Sequence, residues 1–167
     1  MVPTVIRAAT HHDLPALGTL GALLMRVHYA FDQHRFLKPG DDPEDGYAWF
    51  LGTQLNEPDV AIFVAEIDGV VRAYVYAGLE PLSWKELRGP AGFIHDIVVA
   101  DSARRSGVAR QLLEAARQWL VERGAPRVML WTAAQNHAAI SLFADVGFRQ
   151  TMIEMTLELD QGAAHDA

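Results

Sequence analysis

Apolar residues recur at helical spacing through Leu17, Leu20, Leu23, Leu24 and Val27, which predicts a helix opening at Leu14. Asp13 stands at its cap and Pro15 falls in the first turn, where a missing N–H costs nothing. Before it, Val5 to Ala8 reads as a short strand. A second helix is predicted from Asp42, an N-cap followed by Pro43, Glu44 and Asp45, to about Asn56. The pattern then turns to β. Val60 to Ile67 and Val70 to Gly78 are β-branched and aromatic runs, and the Asp68-Gly69 between them is a strong hairpin signal. Leu79 to Gly92 reads as a loop. Phe93 to Ala100 reads as a buried strand carrying one polar pair, His95 and Asp96.

A polar turn, Asp101 to Ser106, leads into a helix with Val108, Leu112, Leu113, Ala116, Trp119 and Leu120 on one face, ending near Gly124. Arg127 to Trp131 is predicted as a strand, His137 to Val146 as a helix and Phe148 to Leu159 as a final strand. Strands alternating with helices imply an α/β organisation with crossovers. The central hairpin makes the sheet mixed rather than purely parallel. Residues 1–160 read as a single domain and 161–167 as a frayed tail.

Composition narrows the function. The chain has 167 residues, enough for one ordinary core, and 50% of them are hydrophobic, which excludes a disordered chain. Its formal charge of -7 argues against nucleic acid as the main partner, since a phosphate backbone needs a cationic face. It contains no cysteine, so thiolate metal sites and a cysteine nucleophile are excluded. Its seven histidines are scattered apart from His11-His12, and no metal site is expected. Neither a leader-like start nor a run of about 20 apolar residues is visible, so the expectation is a cytoplasmic protein that does not enter a membrane.

The run from Val98 to Ala109 is the most informative. A strand feeds a turn of small and basic residues that opens directly into a helix, an arrangement that aims free backbone N–H groups and the helix dipole at one spot. Arg104 and Arg105 add positive charge, and Gly107 and Ala109 leave the backbone bare, so a pyrophosphate could be cradled there on Arg104, Arg105, Ser106, Gly107, Val108 and Ala109. The same run also fits a solvated helix start with two incidental arginines. Neither a Walker loop nor a Rossmann fingerprint is present.

Arg104-x-x-Gly107-x-Ala109 resembles the Q/R-x-x-G-x-G/A motif of the GNAT N-acetyltransferase superfamily. Asp68-Gly69 with Ala73 resembles that family's D-G-x-x-x-G hairpin, with alanine at the last glycine. Asn136-x-x-Ala139 with Gly147-Phe148 resembles its N-x-x-A…G-F helix, and the opening Ile6-Arg7-Ala8-Ala9-Thr10-x-x-Asp13 is similar to its usual start. The resemblance implies a mixed, mostly antiparallel central sheet with a splayed parallel strand pair (93–100 and 127–132), flanked by helices. It implies acetyl-CoA as cosubstrate, with its pyrophosphate on the Arg104–Ala109 amides and its pantetheine arm along Ile97, Val98 and Val99. Asn136 and Phe143 would border the thioester.

Acetyl transfer needs something to take the amine's proton. His95 is the first candidate, because a free imidazole has a pKa of about 6.5. Strand alternation puts His95, Ile97 and Val99 on one face and Asp96 on the other. Asp96 is the alternative base, working through a water, unless its role is structural. Phe143 stands where many family members carry a tyrosine as general acid, so that donor is absent here. The resemblance places the acceptor among the first two helices, their connection and the hairpin, with Tyr29, Phe36, Tyr74 and Tyr76 as candidate contacts. The acceptor is then a small-molecule or peptide amine, and a homodimer is expected. A CoA-binding sensor or structural module without turnover is the alternative.

Overall fold

The sheet assembles in chain order because each connection is short enough to lay a strand beside its predecessor, except where a helix crosses over. A computed structural model describes residues 3–159. Its five strands are β1 (Thr4–Ala8), β2 (Val60–Ile67), β3 (Val70–Glu80), β4 (Ala91–Val99) and β5 (Val128–Leu130), adjacent in that order. β1 to β4 are antiparallel, and β4 and β5 are parallel. The expected mixed sheet with one parallel pair is therefore what the chain forms. Asp68 and Gly69 turn the β2–β3 hairpin with φ of 53° and 72°, the two positive values a type I′ turn needs.

Helices cover both faces. α1 (Leu14–Phe31) and α2 (Pro43–Gln54) pack on one side over Leu17, Leu20, Leu51, Ile62, Val64, Tyr74 and Val98. On the other, α3 (Val108–Glu122) lays Val108, Leu112, Leu113, Ala116 and Leu120 against Ala65, Ala73, Val75, Ala77 and Ile94. Phe143 of α4 (His137–Asp145) joins this second core. α1 and α2 approach closely because α1 carries two glycines. A Cβ at Gly18 would sit 2.4 Å from the Glu44 carbonyl oxygen, and one at Gly21 would sit 2.0 Å from the Tyr47 ring.

Two sequence expectations change. The β3–β4 loop is shorter than Leu79 to Gly92, because β3 runs on to Glu80 and β4 starts at Ala91. Residues 148–159 form no strand: Met152, Ile153, Met155, Leu157 and Leu159 are exposed, and an ion pair joins Glu154 to Arg35. The alternating pattern encodes an extended chain but not a partner for it, and β5 is only three residues long. The tail at 161–167 lies outside the described residues. Among the described residues, no helix is long and apolar enough to cross a membrane.

Candidate active site

The site is made by an irregularity in β4. Tyr76 pairs with Asp96, but the next residue of β3, Ala77, pairs with Ile94, so His95 is an extra residue in the ladder. This corrects the expected alternation. The bulge turns His95 and Asp96 to the same side, toward α1 and α2, while Ile94 and Ile97 both face the α3 core. The His95 ring lies over Tyr76, with centroids 4.8 Å apart, and stacks on Phe93 at 5.7 Å. Its Nε2 is 3.1 Å from Glu80 Oε1. The two groups are at ion-pair distance, without hydrogen-bond alignment.

Asp96 is held differently. Tyr47 of α2 and Tyr74 of β3 both donate to its Oδ2, at 2.7 and 3.0 Å. Burial pushes the Asp96 carboxyl above the usual carboxylate range, and the two tyrosine hydroxyls offset this only in part. Burial next to the same carboxylate raises both tyrosines well above the usual phenol range, so they stay protonated donors.

Pairing between β4 and β5 stops immediately before the bulge. Only Gly92, Phe93 and Ile94 have partners on β5, at Val128, Met129 and Leu130. Beyond them the strands separate, and the β4 edge at Ile97, Val98 and Val99 has no neighbour in β5. The gap opens into a cleft of about 720 Å³ bounded by α1, the α1–α2 connection, α2, β4, the residues after β5, and α4. His95, Asp96, His28, Tyr47, Asn136 and Phe143 all line it. His28 Nδ1 lies 2.9 Å from the Leu24 carbonyl, which fixes that nitrogen as the donor.

At the end of β4 the chain turns through Arg105, with φ of 61°, and Gly107, with φ of 80°, into α3. No acceptor among the described residues meets the backbone N–H groups of residues 105–110. Nothing lies within 4 Å of where a Gly107 Cβ would stand, so the approach to these amides is open. Arg104 pairs with Asp101 at 3.0 Å, whereas Arg105 has no ion pair among the described residues. Free amides, a helix N-terminus and an arginine suit a pyrophosphate, so the residues present fit the CoA group that the motif implied.

The other sequence candidates are placed as follows. Phe36 lines the cleft. Tyr29 does not reach it. Tyr74 is fully buried and Tyr76 nearly so, beneath the cleft floor, and Tyr76 donates to Gln54 at 3.0 Å. Direct acceptor contact from these three therefore has no support in their positions. Val98 and Val108 are buried, which leaves their backbone as the part to consider. Asn136 caps α4 by accepting from the Ala139 N–H at 3.2 Å, and Phe143 packs edge-on against Phe148. The sequence reading missed Tyr47, Glu80, Phe50 and Trp131. Of these, Tyr47 and Phe50 had a detectable signal, as aromatic residues on a helix already assigned to the acceptor side.

Comparison with known proteins agrees with this architecture. A 116-residue stretch is 30% identical to an N-alpha-acetyltransferase of Sulfurisphaera tokodaii, covering 66% of this chain and 70% of that protein. A mycothiol acetyltransferase of Thermomonospora curvata is 29% identical over 121 residues, 69% of this chain but 38% of its own length. The fold matches the aminoglycoside N-acetyltransferase AAC(6')-Iy, solved in complex with CoA, with a TM-score of 0.74 at 20% identity, covering 96% of this chain and 97% of that one. The model of the acetyltransferase (GNAT) family matches residues 24–148. With the motifs and the splayed sheet in agreement, the chain belongs to the GNAT acetyltransferase family.

Proposed function

We propose that the protein transfers an acetyl group from acetyl-CoA to the nitrogen of a small primary amine, with residues 1–160 acting as one domain. The observation that carries this is the splay of β4 from β5. It connects an open row of amides at 105–110 to a cleft holding a histidine and a carboxylate. Bound acetyl-CoA supplies an activated thioester. The amides of residues 105–110 and the Arg105 guanidinium hold its pyrophosphate, and the free β4 edge at Ile97 to Val99 aligns its arm.

His95 takes a proton from the ammonium on its imidazole, which lines the cleft. Asp96 is the alternative acceptor of that proton. The neutral nitrogen attacks the thioester carbonyl, the C–S bond breaks with its electron pair on sulfur, and the nitrogen's second proton passes to the departing thiolate. Phe143 has no hydroxyl to donate. A thiol with a free pKa of about 8.5 leaves as the anion, with the N-terminus of α4 at Asn136 on the same cleft wall. A cleft closed by α1, α2 and their connection favours a small molecule over a protein segment.

The test is CoA release from acetyl-CoA against pooled amines and peptides, read with a thiol reagent. The chain has no cysteine to contribute background. Amine-dependent release is the expected result. Tight acetyl-CoA binding without release would favour a sensor or structural module, the reading that Phe143 supports. Absence of binding would overturn the cradle.

A further inference from the structure

The cleft joins one unsatisfied carboxylate oxygen to a largely apolar wall. Both tyrosine hydroxyls on Asp96 go to Oδ2, and Oδ1 has no hydrogen-bond partner among the described residues. No enclosed polar side-chain atom there lacks a partner, so Oδ1 is not sealed off, and Asp96 lines the cleft. The same cleft is lined by Leu24, Met25, Phe36, Leu37, Phe50 and Trp131. Asp42 is the other carboxylate of the lining, and Lys38 faces the same space.

We propose that Asp96 Oδ1 is the anchor for the acceptor's ammonium, and that the acceptor is a monoamine with a compact apolar or aromatic body. This rests on the acetyl-transfer reading above and narrows it. An ammonium has three N–H donors. One satisfies Oδ1, which otherwise exchanges only with water, and the carbon body covers the apolar wall. The two tyrosines hold Asp96 in place and fill its other oxygen, so the carboxylate arrives preorganised. A polycation would need further carboxylates, and Lys38 offsets the one remaining. The lining therefore selects against polyamines and aminoglycosides, although the fold is shared with an aminoglycoside enzyme. His95 keeps the role of accepting the proton that Asp96 has oriented.

The experiment compares 2-phenylethylamine, spermidine and neamine as acceptors for the wild-type protein, then repeats 2-phenylethylamine with Asp96→Asn. Asparagine keeps the shape and can still accept from Tyr47 and Tyr74. The expected results are a preference for 2-phenylethylamine and a KM for it that rises about 10- to 100-fold in the variant, with the KM for acetyl-CoA unchanged. A purely structural role would move both constants or the melting temperature. In Leu37→Glu, whose parent residue is 77% exposed, a carboxylate beyond Asp96 and Asp42 enters the cleft mouth and the preference shifts toward spermidine.

Equal or better use of spermidine or neamine by the wild type would overturn the proposal while leaving acetyl transfer intact. So would an unchanged amine KM in Asp96→Asn. Where no amine releases CoA, the transfer reading fails by itself. Calorimetric binding of 2-phenylethylamine in the presence of CoA then decides the anchor: loss of affinity in Asp96→Asn supports it, and equal affinity overturns it.

Discussion

Replacing Gly21 by alanine should destabilise the protein, although helix propensity alone says the opposite. Alanine in a helix interior is favoured over glycine by about 1 kcal/mol. At this position the new Cβ would stand 2.0 Å from Tyr47 Cδ1, 2.3 Å from Cγ and 2.5 Å from Cε1, inside any tolerable contact. The ring has little freedom to retreat. Its hydroxyl is bound to Asp96 at 2.7 Å, and its side packs edge-on against Phe50, with centroids 5.9 Å apart. Overpacking of this kind costs about 1–3 kcal/mol, and losing a hydroxyl bond to a buried carboxylate costs about 1.5–3 kcal/mol. The clash wins, leaving a net loss of about 2–4 kcal/mol. In a domain of this size that lowers Tm by roughly 5–15 °C. The assay is thermal and urea unfolding of Gly21→Ala, Tyr47→Ala and the double variant. With the ring gone only the propensity gain remains, so in the Tyr47→Ala background Gly21→Ala is neutral or stabilising. An equal loss in both backgrounds, or a raised Tm in the single variant, would refute the argument that Gly21 exists to seat Tyr47.

Three further outcomes are expected. The Arg7 guanidinium holds the Asp13 carboxyl down at about 2, helped by the Thr10 N–H and opposed by burial. Because the folded value lies below the unfolded one of about 3.9, this stabilisation is present above about pH 4 and is lost as pH falls toward 2. Asp13→Asn should therefore lower unfolding free energy by about 2 kcal/mol at pH 6 and by little near pH 2, measured by urea denaturation at both. Gly107→Ala forces a Cβ onto a residue with φ of 80° and should cost about 1 kcal/mol of stability, with a larger relative loss of CoA affinity in calorimetry. Equal CoA affinity would tell against the cradle. His95→Ala should lower kcat by about 10²- to 10⁴-fold with acetyl-CoA affinity retained. A variant with full activity and an unchanged pH profile would transfer the base role to Asp96.

What was legible in the sequence was local. Asp68-Gly69 specifies its turn through backbone preferences of two residues, and Arg104 to Ala109 specifies a strand, an open turn and a helix start within one contiguous run. The bulge at His95 was not legible, because a register shift is defined by what lies across the strand, here Tyr76 and Ala77. Strand alternation correctly places Tyr74 and Tyr76 on one face, but it does not say that α1 and α2 bury that face. Tyr74 therefore read as an acceptor contact although it lies in the core beneath Asp96. Residues 148–159 fail for a related reason: an apolar alternating run states a preference for extension and leaves its pairing to the rest of the structure.

The bulge also accounts for why two polar residues, side by side in a buried strand, both serve the cleft. Ile94, Asp96 and Ile97 alternate across β4 as though His95 were not there: α3 core, tyrosine side, α3 core again. His95 is thus one residue inserted into an otherwise regular strand. The insertion has three consequences in the same place. It adds a second polar side chain to the α1–α2 side without moving Asp96 off Tyr47 and Tyr74. It falls one residue after Ile94, the last residue paired to β5, so the free β4 edge begins there. It lays the imidazole over β3, where residue 78 is glycine: a Cβ there would stand 3.2 Å from His95 Nε2. Gly92, whose Cβ would strike Leu120 at 2.7 Å, lets α3 press against the start of the β4–β5 pairing from the other face. The polar pair, the strand separation and the glycines are therefore one device. A side-chain change at position 95 leaves the bulge in place, and this is why His95→Ala separates chemistry from cofactor binding.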